Sequence, residues 1–379
     1  MNVDHTNKSA NQIFEEKVKE MSNSSIKSTT IFKVNVGLRE SNPDAYTPKM
    51  ISIGPYHNKK PQLGSMEKYK LLYLQRFLKR KTEIDVKSCI SEIEKLKDEA
   101  LKCYDDNLDS DIVVKFSQML LLDGCFIVEF IRERCGRKPR EEDEIINREW
   151  MMVQVCRDML LLENQLPYFV LTMLHEMTKD PTEPNLIKMV NYTFFDRSQI
   201  RIPKYWSLGA LGEDSMDRTT LFDIKFKDGL FEIPCFAVED TLETFLRNMI
   251  AYEQHSSSLH LRYYTDYGWI MSQLIVSHKD VNLLRQNGII LNEIGHDKQV
   301  ATIFNKLTQG VIISTNDFYC SEECSKIIQH YENPWYQMMA KLRHNYFQSP
   351  WAGASTVAAI VLLLLTVMQT VLSFISALK

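Results

Sequence analysis

Glycine is scarce in this chain, with 13 in 379 residues. A phosphate-cradling loop needs several close together. None of the spacings of a Gly-rich nucleotide loop, a zinc-protease helix or a nucleophile elbow occurs, which removes the most recognisable catalytic designs. Cysteine is thin as well: eight residues without a framework spacing do not make a disulfide-dense secreted scaffold, and reduced thiols are expected. No charge sign dominates. A formal charge of −4 gives no reason to expect nucleic acid or an anionic surface as partner. Met1 to Met21 holds Asp4, Glu15, Glu16 and Glu20 and no apolar stretch, so no secretory leader is expected there.

The absence that says most is at the other end. From Trp351 to Leu378 there is no charged side chain. A helix of that length rises about 42 Å, enough to cross a hydrocarbon core of roughly 30 Å. Between Thr356 and Phe374, eleven positions are Val, Ile, Leu or Phe, and each favours insertion by about 0.3–0.6 kcal/mol, while Gln369 sits off centre. A buried helix of a soluble domain would carry a polar stripe, and here only Ser and Thr interrupt often. A transmembrane helix over 350–378 is therefore expected, in the manner of a tail-anchored protein. Lys341, Arg343 and His344 precede it and Lys379 follows, so the positive-inside tendency puts the body in the cytosol, at the plasma membrane or an endomembrane. The sequons at Asn7, Asn23 and Asn191 are no more than a chain rich in Asn and Ser shows by chance. Trp335, Tyr346, Phe347 and Trp351 crowd the approach to the span and read as an aromatic belt at the membrane interface.

Between a polar leader over 1–30 and the span lies a body over 31–349, large enough for two packed subdomains, 31–184 and 185–349. Its patterning predicts a mainly α fold. Val86, Ile90, Ile93, Leu96, Ala100, Leu101 and Tyr104 recur at helical spacing and predict an amphipathic helix over Asp85 to Tyr104. Ser65 is expected to cap an earlier one. Ile112 to Arg134 reads as a helix buried on most sides, ending in a basic cluster cancelled by Glu141 to Glu144. Glu144 to Lys179 reads as helical with a break at Pro167. Alternation at Phe222, Ile224 and Phe226, then Asp228-Gly229 and Leu230 to Val238, predicts a small β-hairpin. Asn185 to Trp206 is expected to be irregular or short strand. Helical spacing resumes from Glu239 to Ile250 and from Tyr264 to Gln286.

Few residues suggest chemistry. Asp105, Asn107 and Asp109 open like a calcium loop, but Ser110 replaces the required Gly and Phe116 the bidentate Glu, so an acidic turn capping the next helix is expected. Cys320, Cys324 and His330 lack a fourth zinc ligand nearby and are expected to be ordinary thiols beside a histidine. No metal or cofactor is expected. Glu163, Asn164 and Gln165, embedded in the run Leu160 to Phe169, and Arg247, Asn248, Glu253 and Gln254 are more informative. Buried polar groups cost several kcal/mol unless hydrogen-bonded, so these seven predict a structural polar network linking helices. A rival role, acid or base of an enzyme on an unfamiliar helical fold, falls to Glu163, His57 or Glu253.

Several segments together resemble a plant family catalogued as domain of unknown function 247: Ile53-Gly54-Pro55-Tyr56-His57, Met66 to Lys70, Asp158 through Pro167, Arg247 to Gln254, Lys279-Asp280-Val281, Gly288-Ile289-Ile290, Val300-Ala301 with Phe304-Asn305, and Tyr346-Phe347 with Pro350-Trp351-Ala352. Their order covers the chain from about Ile31 onward. Tyr69, Met249 and Tyr252 depart mildly from the family pattern. The resemblance implies a largely helical, membrane-anchored plant protein, with some relatives tied to self-recognition between pollen and stigma in grasses. It supplies no catalytic residues. The expectation is a non-enzymatic, membrane-anchored interaction or recognition module with an unknown protein partner. Another reading assembles copies through Thr366, Gln369, Thr370 and Ser373, which share one stripe of the span.

Overall fold

The computed structural model describes residues 29–104, 108–136, 143–195, 220–227, 229–256, 259–314, 317–346 and 350–377. The fold is mainly α, with small β elements and one apolar C-terminal helix. Two compact units are distinguished: Met1–Phe222 with Pro234–Tyr319, and Asp223–Ile233 with Cys320–Lys379.

The first unit opens with a short helix α1 (Val36–Ser41), then α2 (Glu67–Leu78) and α3 (Val86–Lys102). The amphipathic pattern of α3 is realised within two residues of its expected ends, because Asp85 and Ser88 form a reciprocal capping box. Ser65 does not cap α2: it lies inside a 3₁₀ turn, Pro61–Met66, that runs straight into the helix. After α4 (Ser110–Val114), whose first turn Asp109 caps through Asp111 N–H, comes α5 (Phe116–Cys135). Asp105 and Asn107 of the calcium-like spacing lie outside the described residues. Seventeen of the 20 residues of α5 are buried, so it has no solvated face and forms the axis of the main core. Around it pack α2, α3, α8 (Tyr168–Thr178) and α9 (Leu186–Phe195). Gly124 lets α8 approach: a Cβ there would lie 2.4 Å from Leu174 Cδ1.

Helices α6 (Glu144–Asn147) and α7 (Glu149–Met159) precede the break at Leu160–Pro167. Helix α9 corrects the expectation of irregular chain after Asn185; residues 196–219 lie outside the described residues. The expected single strand from Leu230 to Val238 also divides. β1 (Lys225–Lys227) and β2 (Leu230–Glu232) form the antiparallel hairpin, with Phe226 opposite Phe231 and Gly229 turning at φ +77°. Past Pro234, β3 (Phe236–Val238) pairs parallel with β4 (Ile290–Asn292). The connection between them is helical: α10 (Leu242–His255), α11 (Tyr263–Leu274) and α12 (His278–Gln286), as a parallel pair requires. The stretch expected as one helix to Gln286 breaks at Ile275, and Ser277 caps the second piece with Asp280. α13 (Asp297–Leu307) closes this half against α10, α11 and α12.

The second unit holds the hairpin and three helices, α14 (Ser321–Glu332), α15 (Pro334–Tyr346) and α16 (Pro350–Ala377). Phe226 N–H donates to Glu323 at 2.6 Å and fastens the hairpin to α14. Helix α16 is long and apolar enough to cross a membrane, and no residue from Gly353 to Ser376 is buried.

Candidate functional site

Residues 51–57 are in neither helix nor strand, yet most of them are buried, so their backbone groups need partners from elsewhere. Side chains of the Asp158–Pro167 bend supply them. The Asp158 carboxylate accepts from three successive N–H groups: Lys49 at 3.1 Å, Met50 at 2.6 Å and Ile51 at 2.8 Å. Asn164 acts as a strand edge would: Oδ1 accepts from Ile53 N–H at 2.7 Å, and Nδ2 donates to the carbonyls of Ile51 at 3.0 Å and Asp158 at 2.9 Å. Asp123 on α5 accepts from Gly54 N–H at 2.9 Å and from Lys70 Nζ at 2.7 Å. Gly54 has φ +72°, and a Cβ there would meet the Gln165 carbonyl oxygen at 2.6 Å. Gln165 closes the bend by donating to the carbonyls of Met159 and Leu161 at 2.7 and 2.8 Å.

Glu163 serves a neighbouring stretch. Its carboxylate accepts from Val34 N–H at 2.7 Å, pairs with Arg39 and lies 3.2 Å from His57 Nε2. Burial pushes this carboxyl up, but His57, Arg39 and the Val34 N–H together outweigh it and hold Glu163 below its ordinary value. The His57 ring is buried, and Nδ1 has no hydrogen-bond partner among the described residues. Of the three groups considered as acid or base, the fold thus brings His57 and Glu163 together and leaves Glu253 elsewhere.

The second group lies along α10. Arg247, 2% exposed, donates to Glu243 at 2.8 Å, Ser41 Oγ at 2.6 Å and the Lys306 carbonyl at 3.2 Å. Asn248 Nδ2 donates to the carbonyls of Ala45 and Thr244 at 2.8 and 2.7 Å. Its Oδ1 accepts from Leu162 N–H at 2.9 Å, which joins this group to the bend. Glu253 accepts from Tyr264 and Thr265 N–H at 2.9 and 2.7 Å and so caps α11, whose own N-cap Arg262 makes no side-chain cap bond. Burial pushes the Glu253 carboxyl up against those two bonds. Gln254 pairs with both backbone groups of Ile312, each at 3.0 Å.

Sequence reasoning missed Asp158, Asp123 and Arg39, although an aspartate inside the apolar run Leu120 to Phe126 is a signal of its own. Arg132, at the start of the basic cluster that ends α5, is buried between Glu129 at 2.9 Å and Glu183 at 2.7 Å. Among the described residues, no three His, Cys, Asp or Glu side chains are grouped to hold a metal ion. The His330 ring instead stacks on Tyr336 with centroids 3.8 Å apart. Trp335 and Trp351 are exposed, Tyr346 ends α15, and Phe347 lies outside the described residues. An open cleft of about 560 Å³ is lined by His278, Arg285, His296, Asp297 and Lys298 among others. There Asp297 lies 3.4 Å from Arg285 and accepts from Asn292 at 2.8 Å.

The family described as plant protein of unknown function, domain of unknown function 247, matches residues 31–207 and 207–365. The UPF0481 protein At3g47200 of Arabidopsis thaliana is 25% identical over 93% of this chain and 87% of its own length. The putative UPF0481 protein At3g02645, also of Arabidopsis thaliana, is 21% identical over 90% of this chain and 89% of its own. No solved structure matches. The two matches run end to end across both polar groups and into α16, and the chain belongs to the plant family of domain of unknown function 247.

Proposed function

We propose that the chain is a membrane-tethered, non-enzymatic interaction protein: α16 holds it in a bilayer, and the helical body docks a protein partner at that surface. The observation that carries the tether is the bare apolar surface of α16. Leu362 to Leu365 are 54–66% exposed, and each large aliphatic side chain left in water forgoes about 1.5–3 kcal/mol of burial. A helix from the core of a soluble domain would be covered by its own chain; lipid is the cover that satisfies this one. The hydroxyls of Thr366, Thr370 and Ser373 bond carbonyls of their own helix at 2.7–2.8 Å, so tethering requires no second copy to satisfy them.

The non-enzymatic reading is supported by how the buried acids are used. Asp158, Glu163 and Glu253 accept from backbone N–H groups and hold segments together, while acid–base work needs a carboxyl free to exchange a proton with a ligand. Tethering raises the effective concentration of the body for partners at the same membrane, which gives an interaction role its advantage. Deletion of 351–379 is expected to move the folded body from the carbonate-resistant membrane fraction to the soluble one. A truncated chain that stays with membranes through carbonate and high salt overturns the tether. Protease protection in sealed vesicles tests the cytosolic orientation: the body is expected to be digested from the cytosolic side.

A further inference from the structure

We infer that α15 is a second membrane contact: an amphipathic helix lying along the headgroup boundary, with Trp335, Met338, Met339 and Leu342 set toward the acyl chains and Lys341 toward water, while Gln337 donates back to the Tyr331 carbonyl of α14 at 3.0 Å. The inference rests on α16 being a span and adds what precedes it. The four apolar residues fall at i, i+3, i+4 and i+7, one face of a helix. All four are 43–60% exposed. The neighbouring side of α15 is occupied, since Tyr336 stacks on His330 of α14 and that ring meets Phe226 of the hairpin at 5.4 Å. The helix is thus fastened along one side and bare along another.

Continuity argues for lipid as the occupant of the bare side. Only residues 347–349 separate α15 from Pro350, the first residue of α16. At about 3.5 Å per residue, the four steps from Tyr346 to Pro350 reach roughly 14 Å, so the end of α15 is tied to the layer where the span enters. Interfacial helices seat their apolar face about 5–10 Å into the headgroup and acyl boundary. The side chains suit that depth. Trp presents an apolar ring with one N–H, Met adapts to irregular packing, and Lys341 on the far side keeps its ammonium in water. At 13 residues, α15 rises about 20 Å and is too short to cross the bilayer itself.

The test uses the full-length chain in phosphatidylcholine–phosphatidylserine vesicles. Flotation reads the span. Tryptophan quenching by lipids brominated near the headgroup end of the acyl chain, compared between wild type and Trp335→Phe, reads α15. Expected are flotation of both proteins and loss of a shallow-bromine-quenched component in the variant. A triple variant, Met338→Ser, Met339→Ser and Leu342→Ser, is expected to float still while its Trp335 component loses lipid quenching and gains quenching by aqueous acrylamide. Failure of wild type to float overturns the span and this inference with it. Flotation with a Trp335 component that acrylamide reaches and bromolipid does not leaves the span standing and overturns the interfacial helix. Shielding of Trp335 from both quenchers assigns the face to a protein neighbour and overturns the inference as well.

Discussion

At the scale of single residues, Asn164 shows what the bend demands: one acceptor aimed at Ile53 N–H and two donors aimed at the carbonyls of Ile51 and Asp158. Only an amide has that combination. Asn164→Asp keeps the shape but turns a second oxygen toward two carbonyls, which raises the new carboxyl's folded pKa above its unfolded value near 4. Its contribution to stability is then present below that value and lost as pH rises. Chemical denaturation is expected to give a loss of about 3 kcal/mol at pH 7, partly recovered at pH 4.5. Asp266 poses a related problem in the native chain. It is 2% exposed, and burial pushes its carboxyl up to about 6 while Tyr319 N–H at 3.0 Å opposes the rise. The folded value lies above the unfolded one, so native stability falls as pH rises from about 4 to about 6. Asp266→Asn keeps an acceptor for Tyr319 and removes the ionisation. It is expected to stabilise the chain by about 2 kcal/mol at pH 7 and to flatten that stretch of the pH profile.

Elements differ in how plainly they are written. Helix α3 was legible because its apolar spacing and its Asp85–Ser88 cap agree, so local and tertiary preferences point the same way. Helix α9 was not, although its buried residues Leu186, Met189, Thr193 and Phe194 recur at helical spacing against α5, because Ile187, Val190, Tyr192, Thr193, Phe194 and Phe195 are residues that favour strand by propensity. The β3–β4 pairing was hidden for another reason: its strands are three residues each and lie some 50 positions apart, with α10 to α12 between. Of the polar network, the residues embedded in apolar runs were legible, while their partners were mostly backbone groups of distant segments, which no side-chain pattern announces. The stretch around Gly54 depends on that arrangement most. Gly54→Ala must accept a left-handed backbone and a Cβ 2.6 Å from the Gln165 carbonyl. A loss of about 3 kcal/mol in thermal or denaturant unfolding is expected, larger than strain at φ alone, which is about 1 kcal/mol.

Across the whole molecule, the two polar groups are joined directly by the bond from Leu162 N–H to Asn248, and the 35–46 stretch ties them a second way, through Arg39 to Glu163 on one side and through Ser41 and Ala45 to α10 on the other. A fold fastened this way should open the core around α5 as a unit, and its cysteines offer a means of watching it. Cys89, Cys125 and Cys156 all belong to that core, contributed by α3, α5 and α7. Burial pushes all three thiols up, Cys156 to about 12, so thiolate is nearly absent in the folded chain at neutral pH. Thiolate is the reactive form, and protection therefore combines exclusion of the reagent with suppression of ionisation. Pulsed alkylation along a urea series, read site by site by mass spectrometry, is expected to label the three in one coincident transition. Cys103 and Cys235, which are partly exposed, are expected to react before it. Staggered labelling of Cys89, Cys125 and Cys156 would mean that α3, α5 and α7 open separately, and the shared core would then have to be divided at the helix that reacts first.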